Sequence, residues 1–171
     1  LYVLIISTNA GLWAYNIGDT IQFTSLKPYR VIVSGRIKHY ISAFGEHVIG
    51  KEVESALKEA MEETDVRVNE FTVAPQITPT EGLPYHEWFI EFENEPTNLE
   101  DFALKIDAAM RKQNVYYDDL IAGNVLQTLV ITSVSKNGFQ EYMKSIGKLG
   151  GQNKLPRLSN DRKIAQFFEN K

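Results

Sequence analysis

Apolar and polar residues follow two different periods along this chain, and each period predicts a different element. Between residues 50 and 64, apolar side chains recur at helical spacing among glutamates and lysines, which predicts an amphipathic helix. Residues 66–74 and 85–93 are instead rich in β-branched and aromatic side chains, which predicts two strands. Because prolines fill the loop between them and interrupt ladders, we expect an antiparallel hairpin with a long tip.

Two further helices and a third strand follow the hairpin. Thr97 and Glu100 have the spacing of a capping box, which predicts the start of a helix. Residues 126–134 predict a strand, and residues 139–146 predict a last amphipathic helix that Gly147 can end. The order α-β-β-α-β-α favours an α+β fold, with helices packed on one face of a small mixed or antiparallel sheet.

A short β-rich piece precedes this α+β region. Residues 2–6, 20–25 and 30–34 each predict a short strand. Three strands of this length bury too little surface to be stable alone. We therefore expect residues 1–35 either to dock on a partner or to be the end of a larger N-terminal domain whose start is missing, and residues 36–171 to be a second domain with a basic tail.

Composition narrows the possible functions. With 171 residues, 43% of them hydrophobic, the chain can form a hydrophobic core without disulfides or a structural metal. Its net charge of −4 disfavours nucleic acid or an anionic membrane as partner. Cysteine is absent, which excludes thiol nucleophiles and thiolate metal sites. No apolar run approaches the roughly 20 residues that span a bilayer. We expect a cytoplasmic protein.

The histidines and the basic tail are weaker signals. His39, His47 and His86 show no metal-ligand spacing, so we expect surface or hinge packing and no metal held by side chains. Residues 144–171 contain seven basic and two acidic side chains. Such a tail is either a solvated segment or a surface that faces an anion, with nucleic acid as one alternative.

Tyr15–Asp19 is a candidate for binding chemistry. Gly18 allows the backbone to reverse, so the segment predicts a turn that exposes the Asp19 carboxylate at the start of the next strand. A carboxylate suits the two adjacent hydroxyls of a ribose. A purely structural Gly-Asp turn is the alternative.

The order of the short motifs resembles the hinge region of adenylate-forming enzymes, the acyl-CoA synthetases and luciferases. These motifs are Gly-Asp at 18–19, Gly-Arg-x-Lys at 35–38, a glycine turn at 45 and Glu-x-Glu at 52–54. A closer resemblance is to the auxin-responsive acyl-acid amido synthetases of plants and their bacterial relatives. Residues 152–157, Gln-Asn-Lys-Leu-Pro-Arg, are similar to the terminal Gln-x-Lys-x-Pro-Arg segment of that family.

Residues 15–19 are also similar to the Tyr-Arg-x-Gly-Asp motif of that family. Asn16 stands where the plant pattern has arginine, which indicates a distant branch. The resemblance implies a two-step reaction. A carboxylic acid first attacks the α-phosphate of ATP, with Mg²⁺ neutralising the phosphates, which gives an acyl-adenylate and releases pyrophosphate. The acyl-adenylate is then conjugated to an amino acid, and AMP leaves.

The resemblance also implies roles for particular residues of this chain. Asp19 would hold the ribose hydroxyls, and Arg36 would contact ribose or phosphate. Apart from the resemblance, the ring of Tyr15 is a candidate to stack on adenine, with core packing as the alternative. Gly35 and Lys38 would form the hinge about which a mobile C-terminal domain swings between the two steps. The ammonium of Lys154 would stabilise charge on the α-phosphate during adenylation.

One family motif does not occur in these 171 residues. The Ser/Thr/Gly-rich phosphate loop is absent from the sequence, so the resemblance implies that ATP and Mg²⁺ are bound mainly by the N-terminal domain, and we expect the fragment to be inactive. Two alternatives stay open. One is a fragment of an acyl-CoA ligase, which shares the first step, and the other is a non-catalytic α+β module that binds a small molecule or a protein.

Overall fold

The computed structural model describes residues 2–36, 40–150 and 153–169. Within these ranges the chain forms three small sheets and five α-helices. The α+β class expected from the sequence is confirmed.

The first sheet is antiparallel and consists of the β-rich piece. It contains β1 (Tyr2–Ile6), β2 (Tyr15–Leu26) and β3 (Tyr29–Arg36) in the order β1-β2-β3. Apart from Ile21, which is buried, the described side chains of these strands are exposed or half-buried. The sheet therefore leaves apolar surface uncovered by the rest of the described chain.

The turn predicted at Tyr15–Asp19 is wrong, because this segment is the first part of β2. Residues 17–19 bulge opposite Leu4, between the pairs Val3–Thr20 and Ile5–Asn16. Within the bulge, the Gly18 N–H donates to Asn16 Oδ1 at 2.8 Å, and Gly18 has a φ of 82°. The distortion is absorbed locally, so the ladder continues on both sides and the chain does not reverse.

A two-stranded sheet and the first helix follow. The sheet pairs β4 (Tyr40–Ile41) with β5 (Val48–Ile49), and α1 (Gly50–Glu62) begins directly after β5. The Ile49 N–H donates to Glu52 Oε2 at 3.0 Å, so a carboxylate of the first turn satisfies the backbone at the entrance to the helix. The helix predicted over residues 50–64 is confirmed.

The third sheet has the order β6-β7-β8, with β6 (Arg67–Gln76), β7 (Tyr85–Asn94) and β8 (Val130–Ser133). β6 and β7 form the predicted antiparallel hairpin, and β8 runs parallel to β7. The strand predicted over residues 126–134 is shorter than expected. Leu126 and Leu129 are buried as loop residues, so their hydrophobicity reflects the core and not a ladder.

The other helices are α2 (Leu99–Gln113), α3 (Val115–Ala122), α4 (Gly138–Ser145) and α5 (Lys163–Glu169). The capping box predicted at Thr97 is wrong. Asn98 caps α2, because its side chain accepts from the N–H groups of Glu100 and Asp101 at 3.0 and 3.1 Å. The sequence did not predict α3 or α5. None of the helices in the described ranges is both long and apolar enough to cross a membrane.

Helices cover both faces of the third sheet, which corrects the expectation of one covered face. Trp88 and Ile90 of β7 pack in a core with α1 and α2. Phe89, on the opposite face, packs in a second core with α4 and α5, and its ring lies 5.8 Å from that of Phe168. Because α5 seals this second face, the interpretation of the tail as a solvated segment is wrong for residues 155–169.

Candidate functional site

Two neighbouring clefts contain Asp19, Gly35 and Lys154, three of the six residues that the motifs singled out. The first, the sheet–helix cleft, has a volume of about 760 Å³ and lies between the first sheet and the start of α1. Its lining includes Asp19, Thr20, Ser34, Gly35, Gly50 and Lys51. The second, the tail cleft, has a volume of about 890 Å³ and lies between the third sheet, α4 and the C-terminal tail. Its lining includes Glu70, Glu91, Lys136, Lys148, Lys154 and Arg157.

The β2–β3 ladder brings three of the predicted residues together. Asp19 is the cross-strand partner of Arg36, and the adjacent Thr20 is the partner of Gly35. Ser34 Oγ donates to Thr20 Oγ1 at 3.2 Å, so hydroxyl groups lie beside the carboxylate-bearing position. The ladder thus gathers a carboxylate, a glycine and two hydroxyls at one edge of the sheet–helix cleft.

The opposite wall of this cleft is the N-terminal end of α1. Gly50 and the exposed Lys51 belong to the first turn of this 13-residue helix. The aligned peptide dipoles make this end of a helix positive. The sheet–helix cleft therefore has the Asp19 carboxylate on its sheet side. Its helix side carries the first turn of α1, the Lys51 side chain and the Glu54 carboxylate. Such a lining offers both donors and acceptors to a ligand that carries hydroxyls and anionic groups.

The tail cleft contains Lys154 in an exposed position immediately before a fixed segment. Leu155 and Leu158 are buried, whereas Lys154 is exposed. Lys136 and Lys148 line the same cleft, facing the carboxyl-bearing residues of the hairpin. The lining is therefore mixed in charge, with cations from the tail and α4 region and anions from β6 and β7.

Glu54 and Arg157 line both clefts and form the wall between them. Arg157 Nε lies 3.3 Å from Glu54 Oε1, and the same guanidinium pairs with the carboxylate of Glu70. Asp19 and Lys154 thus lie in adjacent clefts that share one ion pair as their boundary. The sequence had placed Arg157 in a motif but had supplied no partner for it.

The remaining predicted site residues lie elsewhere. Tyr15 is at the start of β2, is 53% exposed, and belongs to neither lining as described. Lys38, the predicted hinge residue, lies outside the described residues. Across the described ranges, no group of three or more His, Asp or Glu side chains could hold a metal ion.

A buried polar pair, Glu46 and His86, was missed by the sequence analysis; Glu46 directly precedes His47 of the sheet–helix cleft lining. His86, expected at the surface or in hinge packing, is 1% exposed, and its Nε2 lies 2.9 Å from Oε1 of the fully buried Glu46. Burial alone would raise the pKa of Glu46, but the hydrogen bond with His86 and the backbone N–H of Phe44 lower it, and the net pKa lies below the ordinary value. Glu46 is therefore a carboxylate at neutral pH.

Comparison with known families decides where the chain belongs. A family model described as the GH3 family C-terminal domain matches residues 51–163. The chain belongs to the GH3 family. A second model, the GH3 family central domain, matches residues 1–36. The two matched ranges thus lie on either side of the segment that carries β4 and β5.

Solved structures share the fold of this chain. One described as "GH3.15 acyl acid amido synthetase" is 19% identical, with a TM-score of 0.76 over 99% of this chain and 33% of that chain. Another, "AtGH3.15 acyl acid amido synthetase in complex with 2,4-DB", is 18% identical, with a TM-score of 0.75 over 99% of this chain and 32% of that chain. Residues 1–171 therefore span about a third of these relatives. A search of the curated proteins found no match.

These comparisons confirm the resemblance drawn from the motifs. The GH3 match covers the region of the Glu-x-Glu helix and the tail up to Lys163. The similarity to the two solved chains supports the fold, including the arrangement of the first sheet and the α+β region over nearly the whole chain.

Proposed function

We propose that this chain is the C-terminal part of an ATP-dependent acyl-acid amido synthetase, which adenylates a carboxylic acid and conjugates it to an amino acid. GH3 membership supports the enzyme class. The observation that carries the site assignment is the shared wall of the two clefts, because it sets Asp19 and Lys154 on opposite sides of the Arg157–Glu54 pair.

The donor and acceptor groups of the sheet–helix cleft fit the sugar end of a nucleotide. Asp19 would accept hydrogen bonds from both ribose hydroxyls, with Thr20 and Ser34 beside it. Arg36, its cross-strand partner, would contact ribose or phosphate. ATP, when bound, supplies the phosphorus atom that the carboxylic acid attacks. Magnesium and most of the triphosphate would be held by the N-terminal domain.

Lys154 is the group of this chain that we propose acts on the adenylation step. Its ammonium is exposed and projects from a tail whose next residue is buried. Placed beside the α-phosphate, it would offset the charge that builds on the oxygens during attack, which is the effect of a preorganised cation. A rotation about Gly35 and Lys38 would bring this lysine in for the first step and remove it for the second.

The second step needs no further covalent chemistry from this chain. The amine of the amino acid attacks the acyl-adenylate carbonyl, the amide bond forms, AMP leaves, and the amine gives up a proton. The contribution of residues 36–171 would be to exclude water during this step and to change which surface faces the nucleotide. In this proposal the protein acts in the cytoplasm with its own N-terminal domain as partner.

The decisive experiment is Lys154→Ala in the full-length enzyme, with each half-reaction timed separately. Pyrophosphate exchange should fall at least 100-fold, whereas amide formation from preformed acyl-adenylate should stay near wild type. Lys144→Ala is the matched control, because Lys144 is an exposed lysine of α4 outside both cleft linings. Wild-type pyrophosphate exchange in Lys154→Ala would remove this residue from the mechanism. A thioester product in place of the amide, formed by the full-length enzyme, would favour an acyl-CoA ligase.

A further inference from the structure

The tail segment that follows Lys154 is attached to the outer edge of β6. Val73 N–H donates to Arg157 O at 2.9 Å and Ser159 N–H donates to Val73 O at 2.9 Å, so Leu158 and Val73 form a parallel bridge. Thr72 Oγ1 also donates to Pro156 O at 2.8 Å. The backbone of residues 156–159 is therefore held against the outer edge of β6.

The Arg157 side chain ties the same segment to two elements at once. Its Nε lies 3.3 Å from Glu54 Oε1 on α1, and its Nη1 pairs with the Glu70 carboxylate and donates to Phe71 O at 3.2 Å on β6. The guanidinium carbon also lies 4.7 Å from the centre of the Phe71 ring. A planar guanidinium with five donors can make these contacts together, whereas a lysine ammonium cannot.

Lys154 itself has no such attachment. Among the described residues its ammonium makes no hydrogen bond or ion pair, and the side chain is exposed. Only the buried Leu155 separates it from the held segment, which begins at Pro156. The position from which the ammonium reaches is therefore set by the attachment of residues 155–159, which includes the Arg157 side-chain contacts, and not by contacts of Lys154.

We propose that Arg157 is a positioning residue for Lys154, acting through Glu54 and Glu70 to fix the base of the lysine-bearing tail. The inference rests on the proposed function, since it assigns a geometric support to the adenylation lysine. Loss of the Arg157 side-chain contacts leaves the ammonium present and the backbone bridge to β6 in place, but it removes the ties to α1 and to Glu70 that fix the base of the tail. Displacement of a catalytic group by about 1 Å can cost about 100-fold in rate, so the effect should appear in the rate constant of adenylation.

The first set of variants removes the attachment while keeping Lys154. In the full-length enzyme, Arg157→Gln should lower kcat for pyrophosphate exchange by at least tenfold with the KM values for ATP and acid nearly unchanged. Arg157→Lys should not restore the rate, because a single ammonium cannot make all the contacts of the planar guanidinium. Amide formation from preformed acyl-adenylate should remain near wild type in both variants.

A second set keeps Arg157 in place in case its replacement unfolds the tail. Glu70→Gln and the double variant Glu54→Gln/Glu70→Gln should lower exchange progressively, with thermal unfolding showing a folded protein. Arg111→Gln is the matched control, since it removes another arginine–carboxylate pair, with Asp118, away from both clefts. This control should leave exchange unchanged.

A double variant of Lys154 and Arg157 shows whether Arg157 positions Lys154 or acts on adenylation independently of it. Lys154→Ala/Arg157→Gln should be no slower than Lys154→Ala alone, because a tail without its lysine has nothing to position. A further tenfold loss in the double variant would overturn the inference, as would wild-type exchange in folded Arg157→Gln and Glu54→Gln/Glu70→Gln. If Lys154→Ala itself exchanges at the wild-type rate, the proposed function of the lysine fails instead, so the two failures are distinguishable.

Discussion

Glu46 and His86 form a buried pair, with Glu46 Oε1 2.9 Å from His86 Nε2, that joins the β4–β5 connection to β7. The pair is extended on both sides. Glu46 Oε2 accepts from the Phe44 N–H at 2.8 Å, and the His86 ring stacks on the Tyr117 ring with 5.3 Å between the ring centroids. Because β5 leads directly into α1, this pair holds the connection that precedes the helix wall of the sheet–helix cleft.

Removing the charge of Glu46 should destabilise the fold. Glu46→Gln is expected to lower the free energy of unfolding at pH 7 by roughly 1–3 kcal/mol, because it weakens a buried hydrogen bond to a charged group. Urea unfolding followed by circular dichroism measures this. Glu62→Gln is the control, since its partner Lys58 is on the surface and such pairs contribute little. Equal stability of Glu46→Gln and wild type would contradict the prediction.

The same carboxylate predicts a pH dependence of stability. Because the pKa of Glu46 in the folded protein lies below its ordinary value, the unfolded chain binds its proton first as the pH falls. The stabilisation from Glu46 is thus complete above the ordinary glutamate range and is lost below about pH 4. In urea unfolding between pH 7 and pH 3, the difference between wild type and Glu46→Gln should shrink with acidification. A difference that stays constant with pH would exclude this linkage.

The start of α2 depends on Asn98 and not on Thr97. Asn98→Ala should lower the free energy of unfolding by about 0.5–2 kcal/mol, because two N–H groups of the first turn lose their acceptor. Thr97→Ala, one residue earlier and exposed, should change stability by far less. The two variants are compared by thermal unfolding. A larger loss in Thr97→Ala would restore the capping box that the sequence predicted.

Asp19 should control nucleotide affinity if the sheet–helix cleft holds ribose. In the full-length enzyme, Asp19→Asn is expected to raise the KM for ATP by roughly tenfold or more, since a hydrogen bond to a charged group contributes about 1.5–3 kcal/mol. The KM for the acid should change little. Asp101→Asn, on the exposed first turn of α2, serves as the control. An unchanged KM for ATP would remove Asp19 from the nucleotide site.

Residues 1–171 alone should show no pyrophosphate exchange. The chain spans about a third of its solved relatives, and the family's phosphate loop is absent from the sequence. Backbone donors of such a loop cradle the phosphates, so without them Lys154 has no positioned α-phosphate to act on. Exchange is measured with labelled pyrophosphate, ATP and a panel of carboxylic acids. Measurable exchange above a heat-denatured sample would refute the expectation.

The local pattern of apolar and polar residues was sufficient to predict the elements that bury one side against a core. The α1 helix and the β6–β7 hairpin were predicted from spacing and prolines, because each residue's side of a helix or strand follows directly from the period. Where a local signal competed with a stronger one nearby, the prediction failed. Asn98 replaced Thr97 as cap, and the Asx turn at Asn16 produced a bulge where a reversal had been expected.

Motif order identified the family, and GH3 membership follows from the same sequence. Motif order could not show what Arg157 binds. Its partners Glu54 and Glu70 lie 103 and 87 positions away in the chain, and no local period encodes a contact at that separation. The same holds for the cross-strand placement of Asp19 opposite Arg36, which depends on the register of β2 and β3.

The amino-acid sequence by itself determined the α+β class, the α1 helix and the β6–β7 hairpin, whereas the residues it proposes for a nucleotide stay a prediction. Only the tertiary structure decided that helices cover both faces of the third sheet, that the tail pairs with β6, and that one ion pair separates two clefts. The physical reason is that periodicity specifies which side of an element must be buried. It leaves the identity of the covering partner to long-range packing and hydrogen bonding.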